Sequence, residues 1–570
     1  MIASFIIWIY ILIFSHIYGW NIIELLRGIF KIEQDIESVS KPIIILIGMC
    51  GITIFAGVLS LFLNLGWLAQ ILFFLLGLFL GWRMLKKRGY LLRLNLSSIP
   101  WWLIVLFFLL FLAVLSLGSR GPTNPDTGIY HAQAIRWMET YPVVPGLGNL
   151  HSRLAYNSNW LVINAFFSLS FLGIRSFHVL PGAFLIVTLI YFLEGGYNLY
   201  KGHYSITNIL KLLLIPLTFY ILSSQISSPG TDFPADILLW VTSSLWLESF
   251  EIKKDNKSNL VTIEEILVLI FSIYLVTIKL STLPVLLLGA FIILKYLRKN
   301  GIASAKLLLL AFLILAPWLA RNLILSGYWV YPVPFIVNLS PNFDWKIPLP
   351  NVIQEARVIQ AWARIPGADA ESVLSMPLFN WLKVWFERLT SNQKILVFGA
   401  LLSPFMYFLS TVTGLRKKTY FGYYSFTFLA SYASLVFWLF EAPDIRFGYG
   451  FVVIAVLLTL VPLVYLILSK IYFRKVITYS FIFILILFQG MILFYSLDLK
   501  SLNSRVLLPT AYDTLSTSPC KIHDYTLACA NWYNECWYDP FPCIPPGNAN
   551  PQVELRGQSI RDGFRFITDH

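Results

Sequence analysis

Long unbroken apolar runs alternate along the chain with short polar connectors. The run "WWLIVLFFLLFLAVLSLG" (101–118) is representative, and the stretch that follows it, "GPTNPDTGIYHAQAIRWMET" (121–140), suddenly gathers Asp, His, Arg and Glu. Runs able to cross about 30 Å of hydrocarbon as helix fall near 2–20, 42–63, 66–84, 101–118, 177–195, 207–223, 233–250, 261–279, 283–297, 304–325, 393–413, 419–440, 446–468 and 477–496. This pattern predicts an all-α polytopic membrane protein with about 13–14 transmembrane helices. The first run has neither a basic segment before it nor a small-residue cleavage site, so it is expected to be a retained span rather than a signal peptide.

The connectors set the expected orientation. The most basic are "RMLKKRGYLLR" (83–93), "EIKKDNKSN" (251–259), "KYLRKNG" (295–301), "LRKK" (415–418) and "SKIYFRK" (469–475). Placing all five in the cytoplasm, as the positive-inside rule requires, gives a consistent alternation. Residues 119–176, 224–232, 326–392, 441–445 and everything after 497 then face outward. Residues 158–174, "SNWLVINAFFSLSFLGI", are apolar enough to span, but counting them as a span reverses every later basic loop. They are expected to lie in the outer interface or to re-enter. The organisation that results is N-terminal helices over 1–99, a transmembrane core over 100–496 with outer loops 119–176 and 326–392, and an outer tail over 497–570. No internal repeat interrupts it.

Composition agrees. Of 570 residues, 58% are hydrophobic and 12% charged, against about 25% charged in soluble domains; mean hydropathy is +0.72. The net charge of +13 sits in the connectors between apolar runs, so it reports topology, and no nucleic-acid partner is expected. Cys520, Cys529, Cys536 and Cys543 lie in the tail at spacings wider than the C-x₂₋₄-C of zinc sites. An even number in an outer compartment predicts two disulfides, with three pairings open. Cys50, inside an apolar run, is expected to be packing.

Four polar stations fall on the outer rim. The first is Asp126, in "TNPDTG", at a helix entry where Asp is a natural cap. Tyr130, Ala134, Trp137 and Tyr141 follow at helical spacing on the same face. An ordinary cap explains Asp126 as well as a general base does. His131, five residues on, does not share that face and ranks low as an acceptor contact. The second is "SSPGTDFPADILLW" (227–240). Asp232 suits an N-cap; Asp236, one turn later, is expected to face the same cleft, because a charge at the head of a span needs protein or water beside it. The third is "APWLARNLILSGYWVYPVP" (316–334), where Arg321 and Asn322 sit near the outer end of a span, with Lys279 at similar depth. Snorkelling and recognition of a lipid-linked phosphate both account for them. The fourth is "EAPDIRFGYG" (441–450), whose Asp444 and Arg446 could simply pair with each other.

Taken together, "PDTGIYHAQAIRW", then "WLVINAFFSLSFLGIRSFHVLPGAFLIV" with its Leu-Gly turn, resemble the GT-C superfamily of integral-membrane glycosyltransferases. "PWLARNLILSGYWVYP" is similar to a segment common in bacterial members, including relatives of aminoarabinose and protein mannosyl transferases. The resemblance covers about residues 100–470. It implies a bacterial cell-membrane enzyme that takes a sugar from a polyprenyl-phosphate carrier at the outer face and inverts the anomeric centre, with a glycan, lipid or protein as acceptor. Asp126 would match the first-loop catalytic acid, Asp232 or Asp236 the second acidic position, and Arg321 a carrier-phosphate contact. The chain departs from that pattern at Thr127 and Gly128, where many members carry a second acid. The three N-terminal spans and the tail are not part of the common core. A divalent metal remains an open cofactor. The rival expectations are a lipid-linked glycan polymerase or ligase, a transporter or flippase, and a non-enzymatic assembly subunit.

Overall fold

The computed structural model describes residues 1–88, 99–255, 261–412, 421–470, 474–522, 525–530, 535–545 and 551–567. The basic connector 415–418 lies outside these residues, as do parts of 83–93, 251–259 and 469–475. Among the described residues, ten helices are long and apolar enough to cross a membrane: Ile2–Phe30, Lys41–Leu59, Trp67–Lys87, Trp101–Gly118, Leu180–Tyr200, Ile206–Gln225, Leu280–Lys299, Gly301–Ser326, Ile445–Leu468 and Lys475–Leu497. This is the make-up of a multi-pass membrane protein. Leu75, Phe79, Phe312, Leu313, Phe483, Ile484 and Leu487 are exposed on these helices, a quantity of apolar surface that soluble monomers rarely show.

These ten, counted among the described residues, stand beside the 13–14 expected from the apolar runs of the whole chain. Asp232–Asp255, Ile263–Ile278, Ser391–Val412 and Phe421–Glu441 form helices where spans were expected but fall outside the ten. Ser391–Val412 and Phe421–Glu441 border residues 413–420, which lie outside the described ones; the other two carry polar groups. Ile263–Ile278 has 16 residues, about 24 Å at 1.5 Å per residue, and opens on Glu264 and Glu265. Asp232–Asp255 carries acids at both ends. Near its C-terminal end Glu248 pairs with the buried Lys211 and accepts from Tyr191 (2.7 Å), while Glu251 accepts from Thr207 (3.0 Å). Glu194 accepts from Ser40 and Glu264 from Gln34 in the same neighbourhood. Charged groups inside an apolar bundle are held by partners, and Asp232–Asp255 and Ile263–Ile278 are less apolar because they supply such pairs.

Residues 158–174 do not span. They form a helix over Asn159–Phe167 that is buried along its whole length, about 14 Å long at 1.5 Å per residue, followed by an exposed turn at Phe171, Leu172 and Ile174. The helix inserts among the N-terminal helices: Gln70 donates to the Phe166 carbonyl (2.5 Å), and Phe166 and Phe167 stack edge-on against Phe73. Trp8 likewise donates to the carbonyl of Val179 (2.7 Å), so the first helix is packed into the core.

The tail departs from an all-helical fold. Thr517–Ile522 pairs antiparallel with Tyr525–Ala530, which pairs parallel with Cys543–Ile544; Val553–Leu555 and Phe564–Phe566 form a second, antiparallel pair. Two disulfides form, Cys520–Cys529 and Cys536–Cys543, joining neighbours in sequence. Cys50 is free and buried. Sheets this small are marginal alone. Here Ile522, Leu527, Ile544, Val553 and Phe564 share a core with Trp137, Val144, Leu147 and Leu150 of the 119–176 loop. Asn149 ties three segments at that end of the bundle, donating to the carbonyls of Trp345 (2.8 Å) and Phe564 (3.1 Å).

Candidate functional site

A cavity of about 950 Å³ opens at the end of the bundle where the 119–176 loop, the 326–392 segment and the tail meet. Its walls include Asp126, Tyr130, His131, His151, Arg153, Asp232, Lys279, Asn322, Glu355 and Arg446.

Asp126 reaches it through an unusual turn. Asn124, not Asp126, organises the helix entry. Its side-chain oxygen accepts from the Asp126 amide (3.0 Å), and its carbonyl from that of Thr127 (2.9 Å). The Asp126 carboxylate makes no capping bond. The next five residues, Thr127–His131, form a π-helical turn, closed by the Ala132 amide donating to the Thr127 carbonyl. One wide turn therefore takes five residues, and His131 returns to the Asp126 side; both line the cavity. The expected aromatic stripe is divided by the same turn. Tyr130 stays in the cavity, whereas Trp137 and Tyr141 pack on Phe541 of the tail.

Two guanidinium groups flank Asp126. Arg153 Nη1 lies 3.5 Å from Oδ1 and Arg446 Nη1 3.5 Å from Oδ2. Arg446 is also held by Asp444, at 3.0 and 3.2 Å, so the pairing expected at 441–450 and contact with the cavity coexist. Asp232, the first residue of its helix, is buried and pairs with Lys279, whose ammonium sits 3.4 Å above the Phe447 ring. Tyr156 donates to Glu355 at a further wall. His131 is fully enclosed, and burial pulls its pKa down to about 4; His151 falls to about 3 for the same reason. Both are neutral near pH 7. His131 Nδ1 is 3.5 Å from Thr127 Oγ1, while Nε2 has no partner among the described residues.

Asp236 and Arg321 lie elsewhere. Asp236, expected beside Asp232 in one cleft, accepts from the Gly450 amide (2.7 Å) between two packed helices. A Cβ at Gly450 would lie 2.9 Å from its Oδ1, so the approach is close and the cleft does not reach it. Arg321 is buried, donating to Asn157 Oδ1 (3.0 Å) and Ser60 Oγ (2.5 Å), and it ties the 119–176 loop to two helices. Its neighbour Asn322 does line the cavity. Arg153 was not among the candidates; its only signal was its place in the polar run "HSRLAYNSN" between apolar segments. Among the described residues, no group of three His, Cys, Asp or Glu is arranged to hold a metal ion. Asp126 and Asp232 are already engaged with cations and Glu355 with the Tyr156 hydroxyl, so these residues do not fit a resident divalent metal.

Fold and cavity thus define a polytopic helical protein with a charged, part-apolar chamber at one end of the bundle. The chain belongs to a family described as a domain of unknown function (DUF8201), whose model matches residues 1–453. The match takes in every cavity residue named above and stops short of the tail. No curated protein and no solved structure matches the chain.

Proposed function

We propose that the protein is a membrane glycosyltransferase that moves a sugar from a polyprenyl-phosphate carrier to a hydroxyl acceptor, with its chamber on the outer face of a bacterial cell membrane. The observation that carries the reading is the state of Asp126. Its carboxylate is free of capping duty, faces a chamber large enough for a sugar and its phosphate, and stands between two guanidinium groups with an ammonium nearby. The basic connectors support the orientation, because all five then lie inside.

The chemistry follows from these groups. Arg153, Arg446 and Lys279 supply the positive charge that a leaving phosphate needs. Asp126 takes the acceptor hydroxyl's proton while the acceptor oxygen bonds to the anomeric carbon from the opposite face. The anomeric carbon–oxygen bond to phosphate breaks, and its electron pair leaves with the polyprenyl phosphate. The configuration inverts. His131, neutral and with Nε2 unengaged, contacts the acceptor. Arg321 and Asp236 act on the scaffold and have no part in the reaction.

The test is turnover by the purified full-length chain of a panel of polyprenyl-phosphate hexoses and pentoses. Transfer with inversion, abolished by Asp126→Asn, is the expected result. Movement of intact lipid-linked glycan across vesicles, with no transfer, would replace this reading by the flippase one.

A further inference from the structure

We infer that the disulfide-closed loop Cys536–Cys543 is a positioning element of the chamber: it holds the turn bearing Asp126 and His131 in its π form. The role comes from the register of one hydrogen bond. In an α-helix the Ala132 amide would donate to the Gly128 carbonyl, four residues back. Here it donates to Thr127, and the Gly128 carbonyl instead accepts the amides of Cys536 and Trp537, both at 2.8 Å. The tail thus substitutes for the α-helical bond that the turn gives up. A second hold lies one residue past the turn's closure. Gln133, buried, donates to the carbonyls of Trp537 (2.9 Å), Pro540 (3.0 Å) and Tyr538 (3.3 Å), and accepts from the Cys543 amide (3.2 Å). The fit is close. A Cβ on Gly128 would meet Trp537 Cε2 at 2.8 Å, and Trp537 itself is held at φ 52°, a left-handed conformation that a bulky residue keeps only when its surroundings enforce it.

The consequence for the chamber is geometric. At 3.6 residues per turn, positions five apart lie about 140° from each other around a helix, so an α-register would separate His131 from Asp126. The π-turn brings both to one wall, which accords with the concentration of such turns at functional sites. The other disulfide, Cys520–Cys529, makes no hydrogen bond to the turn among the described residues and serves as the control.

The role in catalysis rests on the proposed transfer reaction, so the primary readout is independent of it. Hydrogen–deuterium exchange is followed by mass spectrometry over residues 124–134 of the full-length chain in detergent. Opening the loop in the double variant Cys536→Ser, Cys543→Ser should raise exchange there at least tenfold, and Cys520→Ser, Cys529→Ser should not. Gln133→Leu, with both disulfides intact, should reproduce the effect if the opened loop compromises folding. In transfer assays Gln133→Leu should lower kcat at least tenfold with little change in donor KM, which a generally loosened fold would not produce. Unchanged exchange in both the opened-loop variant and Gln133→Leu would overturn the inference. So would equal exchange in the two disulfide variants, since the tail would then act only as a folded whole.

Discussion

Replacing Asp126 by Asn separates the two roles that its position suggests. Because Asn124 already holds the amide of residue 126 and the carboxylate caps nothing, the substitution removes no capping bond. What it removes are two ion pairs, each at 3.5 Å and between side chains 27–34% exposed. Pairs of that kind contribute roughly 0–1 kcal/mol each, and the amide oxygen still accepts from either guanidinium. The folded protein should therefore melt within a few degrees of wild type, given about 2–4 °C per kcal/mol for domains of ordinary size and less for larger ones. The rate should behave otherwise. Losing a positioned base costs about 10²–10⁴, which is about 2.7–5.5 kcal/mol of barrier. The assay pairs a melting curve in detergent with initial rates from a polyprenyl-phosphate sugar. Full activity in Asp126→Asn at normal stability would refute the base assignment outright. Loss of both activity and folded protein would refute the inference that the residue is structurally uncommitted.

Asn124→Ala should show the complementary phenotype, a stability loss of about 1 kcal/mol typical of a lost cap, measurable as a lower melting temperature. Lys279→Met leaves Asp232 buried and unpaired and should cost about 3–5 kcal/mol; adding Asp232→Asn should recover folded yield without restoring transfer. Stability should also fall on acidification. His131 and His151 have folded-state pKa values depressed by burial to about 4 and about 3, against about 6.5 unfolded. The unfolded chain therefore takes up protons first, and stability present above pH about 6.5 is lost as the pH falls towards 4. His151→Gln should shallow that slope in melting curves taken across the range. Finally, a cysteine placed in the 297–301 connector should resist membrane-impermeant maleimide added to intact cells, while labelling there would reverse the proposed orientation.

The helices were legible in the sequence because an apolar run is a local property. The non-spanning nature of 158–174 was also legible, through the charge rule, although its burial among the first three helices was not. What escaped depended on partners distant in the chain. Asp236 follows Asp232 by one helical turn, so local spacing places both in one cleft; only the close approach of Gly450 takes Asp236 out of it. Arg321 has the depth and chemistry of a phosphate contact, but Asn157 and Ser60 claim its guanidinium. The π-turn misled in the opposite direction. A 3.6-residue period put His131 on the wrong face, and nothing in "TGIYH" announces the wider turn, since the amides that support it come from residues 536 and 537. The tail's cysteines predicted its disulfides, while its strands, two to six residues long, were too short to stand out by alternation.

The spacing of charges in and beside the chamber also ranks several of the carboxylates there. Asp444 is bound to Arg446 at 3.0 Å, Asp232 is in direct contact with Lys279, and Glu355 is engaged by Tyr156. Asp126 is held more loosely than these three, its partners standing at 3.5 Å, beyond the about 2.7–2.9 Å of a tight charge-assisted bond. A phosphate entering the chamber competes best where the existing contacts are longest, so it should draw Arg153 and the free edge of Arg446 away from Asp126 first. Donor binding would then release the carboxylate for the acceptor's proton, which orders the reaction: donor before acceptor. Under this scheme polyprenyl phosphate alone should bind the resting protein, and Arg153→Gln should weaken that binding about tenfold or more, since a hydrogen bond to a charged group is worth about 1.5–3 kcal/mol. An acceptor sugar should bind measurably only after the phosphate is present. Calorimetric titrations in both orders decide the matter, and acceptor binding of equal strength to the empty chamber would show that Asp126 is already available without the carrier.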